Sequence, residues 1–364
     1  MIKRIAVLGT GLIGGSLGMA IKRRSAASRV VGYDEPSVLD EAVERGAIDE
    51  RAVSPQTAVA DVDLVVLALP LPQTLAMLDT IAGALKPGTL VTDVGSVKQP
   101  IVSHAHRVLP SDVVFVGGHP MAGGATGGIQ HADALLFENA VYVLCPREES
   151  LPPEFEPASS LLTEIGARLL IVDAAKHDRL AAAVSHLPQL LAVSLVETAF
   201  EVGRDASLVQ LLAAGGFRDM TRIAESPFAV WKGILAANHA NVLDALASLT
   251  SSVQRIRNRL IEEDYDAIGD VFETAGQRRR EIPRDMRGFL HPLHNIMVHV
   301  QDRPGVLADM TRILSDAGIN IKDIELLKIR EGEGGMFRIG FASAEEVSDA
   351  AAALRQYGYS TRSA

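Results

Sequence analysis

Three glycines near the start of the chain constrain it most. Gly9, Gly11 and Gly14 stand in the spacing G-x-G-x-x-G, between the apolar run Arg4–Leu8 and a helical pattern. Gly9 allows a sharp turn, Gly11 lets backbone approach a pyrophosphate, and Gly14 lets helix and strand pack closely. Free N–H groups at Leu12 and Ile13, with the positive end of the helix dipole behind them, then face the phosphates. A second apolar strand, Val30–Tyr33, ends in Asp34, 20 residues past Gly14. A carboxylate there accepts both ribose hydroxyls and repels a 2′-phosphate, which favours NAD over NADP. Taken alone, the glycines also suit a structural turn followed by a surface Asp.

The 364 residues are enough for two or three domains, and 48 % hydrophobic residues are enough for a substantial core. A formal net charge of −10 argues against nucleic acid as a partner. The basic run Arg278–Arg280 falls at a predicted helix end, where cations complement the dipole. A single cysteine, Cys145, in a predicted strand excludes an internal disulfide framework and points to a cytoplasmic location. Lys3-Arg4 before an apolar run imitates a secretory signal, but the glycine spacing is the better reading. No other segment is expected to reach membrane-spanning length without charges, so no membrane partner is expected. The scattered histidines predict no metal site; His104 and His106 face different ways on a helix.

Residues 1–172 alternate strands with helices and predict a Rossmann-type α/β domain, a doubly wound parallel sheet. Strands are expected at Arg4–Leu8, Val30–Tyr33, Leu64–Leu69, Leu90–Val94, Val113–Val116, Ala140–Leu144 and Arg168–Val172. Ligands bind beyond the carboxyl ends of such strands. Leu69 and Pro70, opening a stiff Pro70-Leu-Pro72 segment, are candidate cofactor contacts. Ser96 and His119 follow two neighbouring strands. Residues 173–282 read as an all-helical second domain for substrate and dimerisation. Pro188 is expected to kink its first long helix, and the apolar stretch 187–200 to be buried in a bundle or between subunits. A linker at 283–294 precedes a βαββαβ unit at 295–364, an α+β fold, with a capping box at Ser343 and Glu346.

His119 could accept a proton from a hydroxyl while a nicotinamide takes hydride from the same carbon, with Ser96 orienting that hydroxyl. Equally, His119 could cap loop carbonyls, and Ser96 the next helix. Arg218 and Arg222, four apart, could grip a substrate carboxylate or form surface pairs. His186 at the predicted kink and Trp231 could be structural.

The ordered set Gly9–Gly14, Asp93-Val-Gly-Ser-Val-Lys98, Gly118-His-Pro-Met-Ala-Gly123, Ser185-His-Leu-Pro188 and Gly216-Phe-Arg-Asp-Met-Thr-Arg-Ile-Ala224, with Trp231, resembles the prephenate/arogenate dehydrogenase family. The tail, with Asp302-Arg-Pro-Gly-Val-Leu307, resembles an ACT domain. The resemblance implies NAD-dependent oxidative decarboxylation of prephenate to 4-hydroxyphenylpyruvate in tyrosine biosynthesis. It implies that His119 polarises the ring hydroxyl, Ser96 shares it, Arg222 holds a carboxylate, and His186 and Trp231 line the pocket. With the ACT-like tail goes an expected effector, tyrosine or phenylalanine, at Asp302, Pro304, Gly305, Val306, Leu307 and Asn320, and the apolar helix around 187–200 and the open-edged tail predict a homodimer. Where several relatives carry a charged pair this chain has Gly124-Ala-Thr126, which leaves prephenate against arogenate open. Gln189 replaces a His of some relatives. Two other readings stand beside this one. A β-hydroxyacid-type dehydrogenase would need a catalytic lysine, with Lys176 and Lys232 as candidates. An amino-acid sensor would carry a vestigial nucleotide domain.

Overall fold

Short runs of β-branched and leucine residues without polar alternation form strands buried on both faces. A computed structural model describes residues 2–24, 28–123, 127–282, 293–330 and 334–363. The chain forms two compact units, Met1–Phe272 and Glu273–Ala364.

The first unit is built on eight strands: β1 (Arg4–Leu8), β2 (Arg29–Tyr33), β3 (Glu50–Arg51), β4 (Leu64–Leu67), β5 (Leu90–Asp93), β6 (Val114–Pro120), β7 (Val141–Cys145) and β8 (Arg168–Ile171). Their order is β3-β2-β1-β4-β5-β6-β7-β8. Successive side chains alternate between faces, so Ile5 and Val7 enter one core, and Ala6 and Leu8 the other. All seven predicted strands are present, and the two-residue β3 was not expected. One correction concerns direction: β6 and β7 pair antiparallel, Gly117 opposite Cys145 and Pro120 opposite Tyr142, while the other neighbours run parallel. Among its described residues the segment between them, 121–140, holds only a short 3₁₀ turn rather than a crossover helix, and β7 returns beside β6. Helix Leu71–Ile81 starts earlier than the stiff-loop reading allowed. Pro70 is its N-cap and Pro72 lies in its first turn, where a missing N–H costs nothing.

From Ala174 to Gly203 the chain is one 30-residue helical run. Where Pro188 was expected to kink it, a π turn, Ala182–His186, widens the helix, and Leu187 donates its N–H to the Ala182 carbonyl. By length and hydropathy alone this run could cross a membrane. That corrects the expectation that no segment beyond the amino terminus would qualify. The second half is not buried within the chain: between Leu187 and Gly203 only Gln189 and Ala192 are fully covered. Leu211 and Leu212 are each 79 % exposed and Phe228 67 %, a broad apolar surface for one chain to leave in water. Helix Phe228–Ala237 has Pro227 as its N-cap, one residue later than expected, with no side-chain cap.

The second unit pairs β9 (His294–Val300), β10 (Asp323–Arg330), β11 (Gly334–Phe341) and β12 (Ser360–Ser363) in the antiparallel order β10-β11-β9-β12. Helices Val306–Asp316 and Ala344–Gln356 supply Met310, Leu314, Ala350 and Leu354 to its core. The predicted capping box is half formed: Ser343 accepts from the Glu346 N–H, but the Glu346 carboxylate reaches the N–H of Ala342 instead.

Candidate active site

The Gly-rich turn is as tight as its spacing predicts. Gly9 takes φ +96°, and a Cβ on Gly14 would lie 1.9 Å from the Gly9 carbonyl oxygen. At Gly11 a Cβ would meet nothing within 4 Å, so the space in front of the turn is open. Asp34 does more than wait for a ribose. Its Oδ2 accepts the Thr10 N–H at 2.6 Å, and Oδ1 accepts the Glu35 N–H at 2.8 Å, tying the turn to the end of β2. A cleft of about 370 Å³ opens there, lined by Gly11, Asp34, Ser37, Val38, Glu41 and Gly128–Gln130. Two carboxylates at its wall, Asp34 and Glu41, suit ribose hydroxyls and oppose a 2′-phosphate. These residues fit NAD. Leu69 packs behind Gly9, where a Cβ would come within 2.9 Å of its Cδ2, and Pro70 is exposed.

Parallel pairing of β5 with β6 brings their carboxyl ends side by side. His119 projects from the last turn of β6, half-buried. Its Nδ1 lies 2.9 Å from Nε2 of His177, and Nδ1 of His177 lies 2.8 Å from Oδ1 of Asp178. His119 therefore does not cap loop carbonyls through Nδ1. Its Nε2 makes no hydrogen bond among the described residues. Burial above all, then the neighbouring Lys98, His177 and His186, holds its pKa well below 6.5. His119 is a neutral imidazole, as a proton acceptor must be.

Ser96 is half-buried, on the loop after β5, and makes no hydrogen bond among the described residues. It does not cap helix Gln99–Val108. That helix is capped instead by Asp178, which accepts the Lys98 N–H at 2.7 Å and the Gln99 N–H at 2.8 Å. Beneath it, the fully buried Lys98 ammonium pairs with the equally buried Asp93 and donates to the Gly118 carbonyl at 2.6 Å. Asp93 Oδ1 in turn accepts the Gly118 N–H. The loop that presents His119 is thus held from both sides.

Across the helical lobe, Asn238 donates to the Asp178 carbonyl at 2.7 Å and lies 3.2 Å from Nδ1 of His186. The His186 ring stands edge-on to Trp231, with centroids 6.0 Å apart. Burial is the largest influence on His186 and brings its pKa to about 4. Arg218 lies in the last turn of helix Gly215–Thr221, and Arg222 opens the 3₁₀ turn Arg222–Glu225; both are exposed, without an ion-pair partner among the described residues. Gln189 donates to the Ile223 carbonyl at 2.9 Å and anchors that turn to the long helix. Lys176 and Lys232 are exposed, while Lys98 is fully buried. Cys145 is buried at the end of β7, its thiol pushed up to about 12.

Sequence reasoning missed His177, Asp178, Asp93, Lys98 and Asn238 as parts of the site. Asp93 and Lys98 stood inside a motif already singled out. His177 and Asp178 carry no local signal, because their partners lie 58 and 80 residues away. Gly124–Thr126, where this chain departs from several relatives, lie outside the described residues.

In the tail, a hollow of about 530 Å³ lies at the start of helix Val306–Asp316, lined by Arg303, Gly305, Val306, Leu307, Ala308 and Thr311. Of the expected effector residues, Gly305, Val306 and Leu307 line it; Asp302, Pro304 and Asn320 do not.

Three family models match the chain. "Prephenate dehydrogenase, nucleotide-binding domain" covers residues 17–171, "Prephenate dehydrogenase, dimerization domain" 173–274, and "ACT domain" 294–358. A prephenate dehydrogenase of Bacillus subtilis (strain 168) is 37 % identical over 94 % of this chain and 93 % of its own length. One from Lactococcus lactis subsp. cremoris (strain MG1363) is 36 % identical, over 96 % of each. Among solved structures, prephenate dehydrogenase from A. aeolicus in complex with hydroxyphenyl propionate and NAD+ superposes with a TM-score of 0.71 at 27 % identity. That match covers 78 % of this chain and 99 % of the other. A Synechocystis arogenate dehydrogenase gives 0.69 at 29 % identity, over 76 % and 99 %.

Proposed function

The chain belongs to the prephenate dehydrogenase family of NAD-dependent dehydrogenases, and from that premise we propose that it oxidatively decarboxylates prephenate to 4-hydroxyphenylpyruvate. The observation that carries this reading is a neutral His119 at the carboxyl end of β6, its Nε2 unspent, in the lobe that holds the nucleotide cleft. Bound NAD supplies the acceptor for hydride from the hydroxyl-bearing ring carbon. His119 Nε2 takes the hydroxyl proton, and Ser96, with its side chain uncommitted, orients the same hydroxyl. Arg222 holds a carboxylate through its planar fork, Arg218 adds charge beside it, and His186 with Trp231 forms one wall. Loss of CO2 aromatises the ring, so the protein's work is alignment and one proton transfer.

The division into residues 1–172, 173–282 and 295–364 is part of the same proposal. The exposed apolar surface of the helical lobe supports a homodimer through that lobe, which matches a dimerization-domain model. The hollow before Leu307 supports an amino-acid effector in the tail, tyrosine or phenylalanine, acting through different affinities for two states of the protein. A cytoplasmic location agrees with one buried, unpaired cysteine.

NADH formation with prephenate and with arogenate, each offered NAD and NADP, tests the reading. Turnover with prephenate and NAD is expected. Turnover with arogenate alone would reassign the substrate, and ligand binding without any turnover would favour a sensor.

A further inference from the structure

We propose that Asp178 and His177 are positioning residues that fix the tautomer of His119, keeping its Nε2 bare and its Nδ1 protonated. The inference deepens the reading above and rests on it for the catalytic consequence, though not for the tautomer itself.

Asp178 is an acceptor on both oxygens, since it takes backbone N–H groups from Lys98 and Gln99, which have no choice of role. Its Oδ1, 2.8 Å from His177 Nδ1, therefore accepts a hydrogen bond from the Nδ1–H. If His177 carries one proton, that proton sits on Nδ1 and its Nε2 offers only a lone pair. His119 Nδ1, 2.9 Å away, must be the donor in that contact. A neutral imidazole has one N–H, and it is now spent on the protein side, so Nε2 is left as an acceptor.

The relay is rigid as well as directed. His177 and Asp178 are 5 % and 2 % exposed, and the His119 and His177 rings stand at 78°. Asn238 holds the Asp178 backbone, and Lys98 holds the Gly118 carbonyl next to His119. One carboxylate thus joins the helical lobe, the start of helix Gln99–Val108 and the tautomer of the base. His119 in the wrong tautomer would present an N–H to the hydroxyl it should deprotonate, which costs rate without costing affinity.

Histidine-labelled full-length protein, read by ¹⁵N NMR at neutral pH, tests the tautomer directly, with the His119 signals assigned by their loss in His119→Asn. An unprotonated Nε2 and a protonated Nδ1 are expected. A proton on Nε2, as a doubly protonated His177 would impose, overturns the proposal. Two variants test the consequence. His177→Gln keeps an acceptor at the position of Nε2, and His177→Leu removes it. The Leu variant should lose about a hundredfold in kcat, leave NAD affinity unchanged and show mixed His119 tautomers. The Gln variant should recover most of the rate. Equal losses in both variants with the His119 tautomer unaltered would reduce His177 to packing and overturn the proposal. If wild-type protein fails to turn over prephenate, the substrate reading fails, and the NMR result still decides the tautomer.

Discussion

The Asp178 carboxylate accepts the backbone N–H of Lys98 at 2.7 Å and so closes the start of a helix from 80 residues downstream. Nothing in the local sequence Ser96-Val-Lys98 supplies that cap. The two lobes of the first unit share one buried charge.

Asp178→Ala should therefore destabilise the fold. It strands the buried Lys98 N–H and His177 Nδ1–H and frees the half-exposed Gln99 N–H. A loss of ~3 kcal/mol in unfolding free energy is expected from denaturant titration. A loss below about 1 kcal/mol would mean that water replaces the carboxylate.

The depressed histidines set two pH dependences. His119 must be neutral to act, and its pKa lies well below 6.5, so kcat/KM should stay level through pH 6.5 and fall only further down. An inflection at pH 6.5 in the pH–rate profile would contradict this. For stability, His186 is neutral in the fold down to about pH 4, whereas the unfolded chain takes up its proton near 6.5. Between those values the unfolded state binds more protons, so this contribution is intact above 6.5 and is lost as pH falls toward 4. Unfolding midpoints should fall less steeply over that window in His186→Asn than in the wild type.

Asp34→Ala should lower NAD affinity about tenfold or more and reduce the preference over NADP. The change removes a ribose acceptor and the anchor of the Thr10 N–H together. Nucleotide fluorescence titration measures both effects. Unaltered discrimination would shift the selection to Glu41.

Thr311→Arg should fill the hollow beside Leu307 and cancel any change in rate caused by tyrosine or phenylalanine, with basal turnover kept. An undiminished response in this variant would place the effector elsewhere.

The glycine spacing, the buried strands and Asp34 were legible because each is a local requirement of backbone geometry. The antiparallel return of β7 was not, since nothing in residues 121–140 distinguishes a loop from a crossover until pairing partners are known. His119 could be singled out by its position after a strand. What makes it a neutral acceptor could not: His177 and Asp178 reach it across the fold, and Lys98, inside a recognised motif, turns inward to Asp93 rather than outward. Pro188 was read as a kink in its helix; the chain carries instead a π turn, Ala182–His186, just before it, where His186 and Asn238 meet beside Asp178.

The central claim is that His119 takes the hydroxyl proton during oxidation of prephenate. NADH formation should be compared in wild-type protein and His119→Ala, both shown to bind NAD. Turnover is expected in the wild type, with a loss of about 10²–10⁴-fold in kcat for the variant and NAD affinity retained. A variant that turns over as fast as the wild type would contradict it.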